Sequence, residues 1–498
     1  MLGILAWGWL SAAVHAADLS LADVQAVFPG ATEITALDGS VPAVVVRRGS
    51  ATLGYAFSTA AVSPIAAYSG KPVDMLVGLD ASGRIAGATI LHHEEPILVI
   101  GVSDQHLLEF VAQFVGKHSA DRIRVGANGR EGYVGIDGIS GATITTMVIT
   151  SSITKAARRV VQSYGLPRTV SAESEAAAIV AVPTIAVGYD DFPPWKQLWI
   201  ERAFELSVVS VALVVLFAVL FFQDSLVKRT RLFHRVRTGY LLFTVFFIGF
   251  YCSAQLSVVN LLAFFHSMGG GFSWDTLLIE PVIFVLWAFV AVSILLWGRG
   301  VFCGWLCPFG AAQDLISKLA TRLGIEGYQL PQPLHERLWA IKYLILIALV
   351  GLSLDSMANA ARLAEVEPFK TTFVLYFMRE PQYVLWAVAL LAISAVNSKF
   401  YCKYLCPLGA GLSFITNFKI FDWLRRRREC GSPCQACASQ CQIDAIKPTG
   451  EILDKECHYC LECQVTYWDD QRCPPLVEKR KRHEVRKGKA ANVIASDS

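Results

Sequence analysis

Eight cysteines near the C-terminus carry the first chemistry the sequence offers. Cys430, Cys434, Cys437 and Cys441 form one group, and Cys457, Cys460, Cys463 and Cys473 form another, with Pro474 after the last. Eight thiolates in two groups of four suit two 4Fe–4S clusters. Close spacing lets one loop supply three ligands to a cube, and the fourth then comes from the other group. That pairs Cys430, Cys434 and Cys437 with Cys473, and Cys457, Cys460 and Cys463 with Cys441. Zinc also takes four thiolates, so two zinc sites are the competing reading.

Four further cysteines repeat a pattern. Cys303 and Cys307 precede Pro308, and Cys402 and Cys406 precede Pro407. Residues four apart share a helix face, and each proline ends or kinks a helix there. Soft ligands from two repeats could hold one additional metal centre within the membrane part. Packing is the alternative, because a buried thiol behaves as a small hydrophobe. Cys252 stands alone and reads as packing. His234, His266 and His335 fall in loops or at span ends, which argues against a haem held by paired histidines.

A third site lies far upstream, in "DGISGATITTMVIT". Asp137, Ser140, Gly141, Ala142, Thr143 and Thr145 combine an acidic residue, small residues and hydroxyls. Locally this is a turn and a helix N-terminus. Such a terminus directs N–H groups at a phosphate. The stretch "HHEEP", with His92, His93, Glu94 and Pro96, comes before it.

These residues need elements to hold them. The chain has 498 residues, 54% hydrophobic and only 17% charged, where soluble domains average about a quarter charged. Mean hydropathy is +0.45, so a membrane protein is expected. A net charge of +3 is too small to suggest a polyanion partner for the whole molecule. All 13 cysteines lie from Cys252 onward, which excludes a disulfide framework in the first half. Residues 1–16 read as an export signal cut after Ala16.

Residues 17–195 read as an α+β domain. "VDMLVGLDASGRIAGATILHHEEP" predicts strand, turn, strand, and "SDQHLLEFVAQFVGK" predicts a helix. Residues 200–420 contain five apolar segments, at 203–222, 240–260, 277–297, 338–355 and 382–397, each near the roughly 20 residues that cross a bilayer core. Lys228, Arg229, Arg231, Arg235 and Arg237 follow the first, Arg299, Lys318 and Arg322 the third, and Lys399, Lys403 and Arg425 to Arg428 the fifth. By the positive-inside rule the N-terminal domain lies outside and the C-terminus inside. A cluster domain at 425–478 and a basic tail at 479–498 complete the chain. No nucleic-acid-binding motif is visible, and a basic tail near the cytoplasmic leaflet meets anionic lipid.

Two resemblances sharpen this reading. "CQIDAIKPTGEIL" is similar to the linker of bacterial two-cluster ferredoxins, although Cys430-x3-Cys434 and Cys463-x9-Cys473 depart from their spacing. Ser140-Gly141-Ala142-Thr143 resembles the flavinylation motif of FMN-binding domains in sodium-pumping quinone reductases, and His92, Glu94 and Pro96 resemble a loop near their flavin. The resemblance implies FMN joined through its phosphate to Thr143 by a flavin transferase, with Thr145 the alternative and His93 lining the site. The order of signal, flavin domain, "GRGVFCGWLCPFG", "KFYCKYLCPLG" and two-cluster tail resembles the NosR/NirI membrane flavo-iron–sulfur proteins. That resemblance implies an electron-transfer component of the bacterial inner membrane rather than an enzyme with its own small-molecule substrate. Electrons would come from quinol or a cytoplasmic donor and reach a periplasmic reductase such as nitrous oxide reductase, in support of denitrification. Redox-sensing regulation or reductase maturation is the alternative. The segment between Thr143 and the first span is short for that family.

Overall fold

The computed structural model describes residues 19–37, 39–65, 67, 72–93, 104–126, 132–139, 143–166, 194–270, 278, 280–328, 330–355, 357–432 and 434–496. The expected signal, 1–16, lies outside them, as do Glu94, Pro96, Ser140, Gly141 and Ala142. The chain divides into two compact units. One comprises Met1–Gln197 with Ser267–Ile279, the other Leu198–His266 with Glu280–Ser498.

The first unit is built on a sequential antiparallel sheet of β1 (Glu33–Ala36), β2 (Val44–Arg48), β3 (Ala51–Ser58), β4 (Asp74–Asp80) and β5 (Ile85–His92). β4 and β5 form the hairpin that the Asp-Ala-Ser-Gly turn predicts. Asp80 fixes that turn: its carboxylate accepts from the Ser82 N–H at 2.8 Å, the Ser82 hydroxyl at 2.6 Å and the Arg84 N–H at 2.9 Å. Met75 to Leu79 are all buried, so β4 is covered on both faces and shows no alternation. Helix α1 (Leu21–Val27) packs on one face through Val24, Val27 and Phe28. Its close approach requires Gly87, where a Cβ would lie 2.8 Å from the Val27 carbonyl oxygen.

Helix α2 (Thr59–Val62), helix α3 (Asp104–Ala112) and helix α4 (Thr143–Tyr164) complete the unit, with a parallel pair, β6 (Ile123–Val125) and β7 (Val134–Ile136). α3 lies within the stretch whose spacing predicts a helix. In α4 Ile149, Ile153, Ala156, Ala157 and Val160 are fully buried.

The second unit is helical. Among the described residues, α5 (Ala203–Phe221) and α10 (Gln332–Asp355) contain the two stretches long and apolar enough to cross a membrane, Ala203–Phe221 and Gln332–Leu354. α8 (Pro281–Trp297) and α11 (Pro381–Val396) are apolar but shorter. α6 (Thr230–Phe243) runs into a π-helical stretch, Thr244–Tyr251, and α7 begins at Val258 (Val258–Gly270). The expected span at 240–260 is therefore not one helix. The chain breaks after Cys252, with Ser253 at φ 51°. Four of the five expected segments, 203–222, 277–297, 338–355 and 382–397, fall on single apolar helices, two long and two shorter, and only 240–260 is corrected to an interrupted run.

Prolines start α8, α9 (Pro308–Arg322), α11 and α12 (Pro407–Ile415), where a missing N–H costs nothing. α13 (Glu462–Trp468) belongs to the cysteine-rich region. The basic segment lies on α14 (Pro474–Ser496).

Candidate functional site

The hydroxyl-rich motif sits where β7 hands over to α4. Asp137 follows β7, and its backbone is clamped by one side chain: Asp137 N–H donates to Gln113 Oε1 at 2.8 Å, and Gln113 Nε2 donates to the Asp137 carbonyl at 3.1 Å. α4 begins at Thr143, so the motif runs into the N-terminus of a 22-residue helix, the place where backbone N–H groups and the helix dipole favour a phosphate. Arg159 donates from α4 to the Val62 carbonyl at 2.8 Å, Arg158 donates to the Ser119 and Asp121 carbonyls, and the Tyr164 hydroxyl donates to Val41 O at 2.5 Å. These bonds fix the helix against its own unit. Thr145 is only 2% exposed, on the packed side of α4. His92 closes β5 and is exposed, and His93 follows it half-buried. Gln113 carried no signal in the sequence, because its role depends on the turn after α3 meeting the chain that leaves β7.

The two Cys-Pro repeats fold alike. Cys307 caps α9 by accepting from the Gly310 N–H at 3.4 Å, and Cys406 caps α12 by accepting from the Gly409 N–H at 3.2 Å. Cys303, Cys307, Cys402 and Cys406 are all buried, at 6–8% exposure, and lie near enough to interact electrostatically with one another. Polar side chains serve them: Gln313 Nε2 donates to Cys402 Sγ at 3.1 Å, and Gln255 Nε2 to Cys307 Sγ at 3.5 Å. Such donors suit a metal-bound thiolate, although Cys307 Sγ also lies 3.9 Å from Gln255 Oε1. Gln255 and Gln313 were legible only as polar residues inside apolar runs.

In the C-terminal region Cys441 lies beside Cys460, and Cys457 beside Cys460 and Cys463. Cys437 neighbours Cys430 and Cys434. Arg427 links Cys430 to the last of the eight, Cys473, donating from its backbone N–H to Cys430 Sγ at 3.4 Å and from Nη1 to Cys473 Sγ at 3.0 Å. A pocket is lined by Cys437, Cys441, Cys457, Cys460 and Cys463 with Leu424, Ile443 and Ile446. Burial, then the neighbouring Cys460, pushes the Cys441 thiol up to about 11. Burial and Cys460 push Cys463 up to about 12. Thiols crowded in this way ionise together only if a cation takes the charge. Among the described residues no three His, Cys, Asp or Glu converge on a single ion. A cubane instead spreads its ligands over separate corners, and the thiol-lined apolar pocket fits that group.

Comparison with known proteins agrees with this arrangement. Residues 68–158 match an FMN-binding domain family, residues 279–326 and 381–429 a 4Fe-4S binding domain family, and residues 428–484 the NosR family. The chain is 33% identical to the regulatory protein NosR of Pseudomonas aeruginosa, covering 96% of each, and 34% identical to that of Stutzerimonas stutzeri, covering 91% of this chain and 90% of the other. The first alignment runs over 685 positions, more than this chain's 498 residues, so the relative contains residues without counterpart here. The protein NirI of Paracoccus denitrificans is 48% identical over 61% of this chain and 43% of its own length. An FMN-binding unit and iron–sulfur ligand sets thus stand in one polypeptide, and the chain belongs to the NosR/NirI family.

Proposed function

We propose that the protein is a membrane-bound electron carrier that links iron–sulfur clusters on the cytoplasmic side to an FMN on the periplasmic side. Electrons enter from quinol or a cytoplasmic donor and leave to a periplasmic respiratory reductase, with nitrous oxide reductase as client in denitrification. The observation that carries the reading is that all twelve candidate metal cysteines gather in one packed unit, while the FMN-binding unit contains none. A wire needs its centres held at fixed separations, and the cofactors then supply the redox chemistry.

Within this reading Thr143 holds FMN covalently after a flavin transferase acts, with Asp137, Ser140, Gly141, Ala142, His92, His93, Glu94 and Pro96 around it. Two 4Fe–4S clusters take Cys430, Cys434, Cys437 and Cys473, and Cys441, Cys457, Cys460 and Cys463. Cys303, Cys307, Cys402 and Cys406 hold a further metal centre. A multi-pass inner-membrane location is supported by outward apolar side chains: Val214 is 69% exposed on α5, Leu344 64% on α10 and Leu385 70% on α11. Patches of that kind face lipid or a partner.

The relatives' description as regulatory proteins favours a second reading as a redox sensor. Turnover separates the two. Full-length protein in vesicles should oxidise a quinol or reduced viologen and pass the electrons to an external acceptor over many cycles. Reduction of its own centres once, without turnover, would favour the sensor.

A further inference from the structure

The two repeats differ where the cluster region meets them. Alignment of their Cys-x3-Cys-Pro motifs sets Gly300 against Lys399 and Gly304 against Lys403. In the first repeat the missing side chains admit backbone. A Cβ on Gly300 would lie 2.5 Å from the Cys457 carbonyl oxygen and 2.7 Å from the Tyr459 nitrogen, and one on Gly304 would collide with the His458 carbonyl. Trp305 Nε1 donates to the Tyr459 carbonyl at 3.0 Å. Arg299 donates to Glu456 at 3.0 Å and to the Lys455 carbonyl. Lys455, Glu456 and Tyr459 are thus hydrogen-bonded by Arg299 and Trp305, while Cys457 and His458 lie close against Gly300 and Gly304. The second repeat uses its lysines instead. Lys403 Nζ reaches Asp444, just past Cys441, at 3.1 Å, and Lys399 reaches Asp314 at 3.5 Å. Arg237 joins that Asp314 at 2.6 Å to Glu462 at 2.8 Å, between Cys460 and Cys463.

We propose that the Cys441/Cys457/Cys460/Cys463 cluster is the one that exchanges electrons with the membrane cysteines, seated there by Gly300, Gly304 and Arg299, and that the Cys430/Cys434/Cys437/Cys473 cluster is the entry from the donor. This rests on the reading of these cysteines as cluster ligands. The geometry gives the order: Cys457 touches the segment bearing Cys303, whereas Cys430 and Cys473 are held by Arg427. With both centres bound, one electron would pass from the inner cluster, oxidised in the step, to the membrane centre, reduced in it. No proton or bond moves with it. The second repeat meets the same region differently, through the Lys403–Asp444 ion pair rather than by close backbone approach. Gly300, Gly304 and Arg299 are positioning residues, since none of them supplies a ligand.

The test uses the full-length protein with both clusters loaded. Cys457→Ser and Cys430→Ser first identify which electron paramagnetic resonance signal belongs to which cluster. Gly304→Ala, Arg299→Gln and Arg299→Lys are then compared by redox titration of both signals and by the rate of flavin reduction after dithionite. The account expects Gly304→Ala and Arg299→Gln to shift the signal lost in Cys457→Ser, leave the other signal in place, and slow flavin reduction severalfold. Arg299→Lys should restore part of that rate. If Gly304→Ala loses iron, the Arg299 pair alone decides. The proposal is overturned if the shifted signal is the one lost in Cys430→Ser, if both or neither shift, or if flavin reduction keeps its normal rate. A wild-type protein whose flavin is never reduced would sink the carrier reading instead, and the titrations would still report which cluster meets the membrane.

Discussion

Thr143 and Thr145 are two positions apart in the sequence but differ in place. Thr143 opens α4, while Thr145 lies on its packed side. A denaturing gel of wild-type protein should therefore fluoresce under ultraviolet light. Thr143→Ala should be dark and Thr145→Ala should keep its signal, and a fluorescent Thr143→Ala protein would remove the assignment. Asp80 gives a second prediction. Burial works against its ionisation, but hydrogen bonds from Ser82 and Arg84, with the Arg84 charge, hold its carboxyl below the ordinary value of 3.8. A depressed pKa contributes stability above the unfolded value and loses it as pH falls through the folded one. The flavin unit should thus lose stability below about pH 4. Asp80→Asn should lower stability at neutral pH by less than about 1 kcal/mol, since the carboxylate is mostly exposed and screened, and should flatten that acid dependence. The hydroxyl motif was legible in sequence because residue types alone define it. Gln113, Gln255 and Gln313 were not, since each acts on a group that only the fold brings near.

Helix α4 links the motif to the core through its length. Ile153 is fully buried, and Ile153→Ala should cost about 2–5 kcal/mol. The same substitution should lower the fraction of flavin-bearing protein, because the helix N-terminus must be held for the phosphate to be seated. Normal flavin loading in a destabilised Ile153→Ala protein would show that the motif acts independently of its helix. The hairpin β4–β5 and helix α3 were legible through apolar runs split by turn residues and through helical spacing. The span expected at 240–260 was not, because hydropathy averages across a break. Cys252, Ala254 and Leu256 are apolar and carry the average across Ser253, where the backbone leaves the helix. The Cys-Pro motifs were read as helix ends, and the prolines do begin new helices, but the capping role of Cys307 and Cys406 depends on local geometry that spacing does not encode.

Across the whole molecule, several positive charges used to orient the chain turn out to be structural. Arg237, Arg299 and Lys403 are buried against Asp314, Glu456 and Asp444. The charge asymmetry was visible in sequence, whereas the carboxylate partners lie far along the chain and were not. Glu456 also meets Lys342 and Tyr343, and removing one member of a buried ionic group strands the others, at about 3–5 kcal/mol. Glu456→Ala should therefore loosen the cluster region, seen as faster proteolysis after Arg428. Reporter fusions at Ala176 and Asp497 should report opposite compartments, and the same compartment for both would mean a miscounted crossing. Cys303→Ala, Cys307→Ala, Cys402→Ala and Cys406→Ala should each lose the same iron while FMN and the C-terminal clusters stay; unchanged iron in all four would make these packing residues. The central claim is that electrons pass from the C-terminal clusters through the membrane to the flavin. Stopped-flow spectroscopy in sealed vesicles tests it, with dithionite supplied only on the side of the C-terminus. The account predicts that cluster bleaching comes first and flavin reduction follows, and that Cys303→Ala keeps the first phase and loses the second. Clusters fully bleached while the wild-type flavin stays oxidised would contradict it.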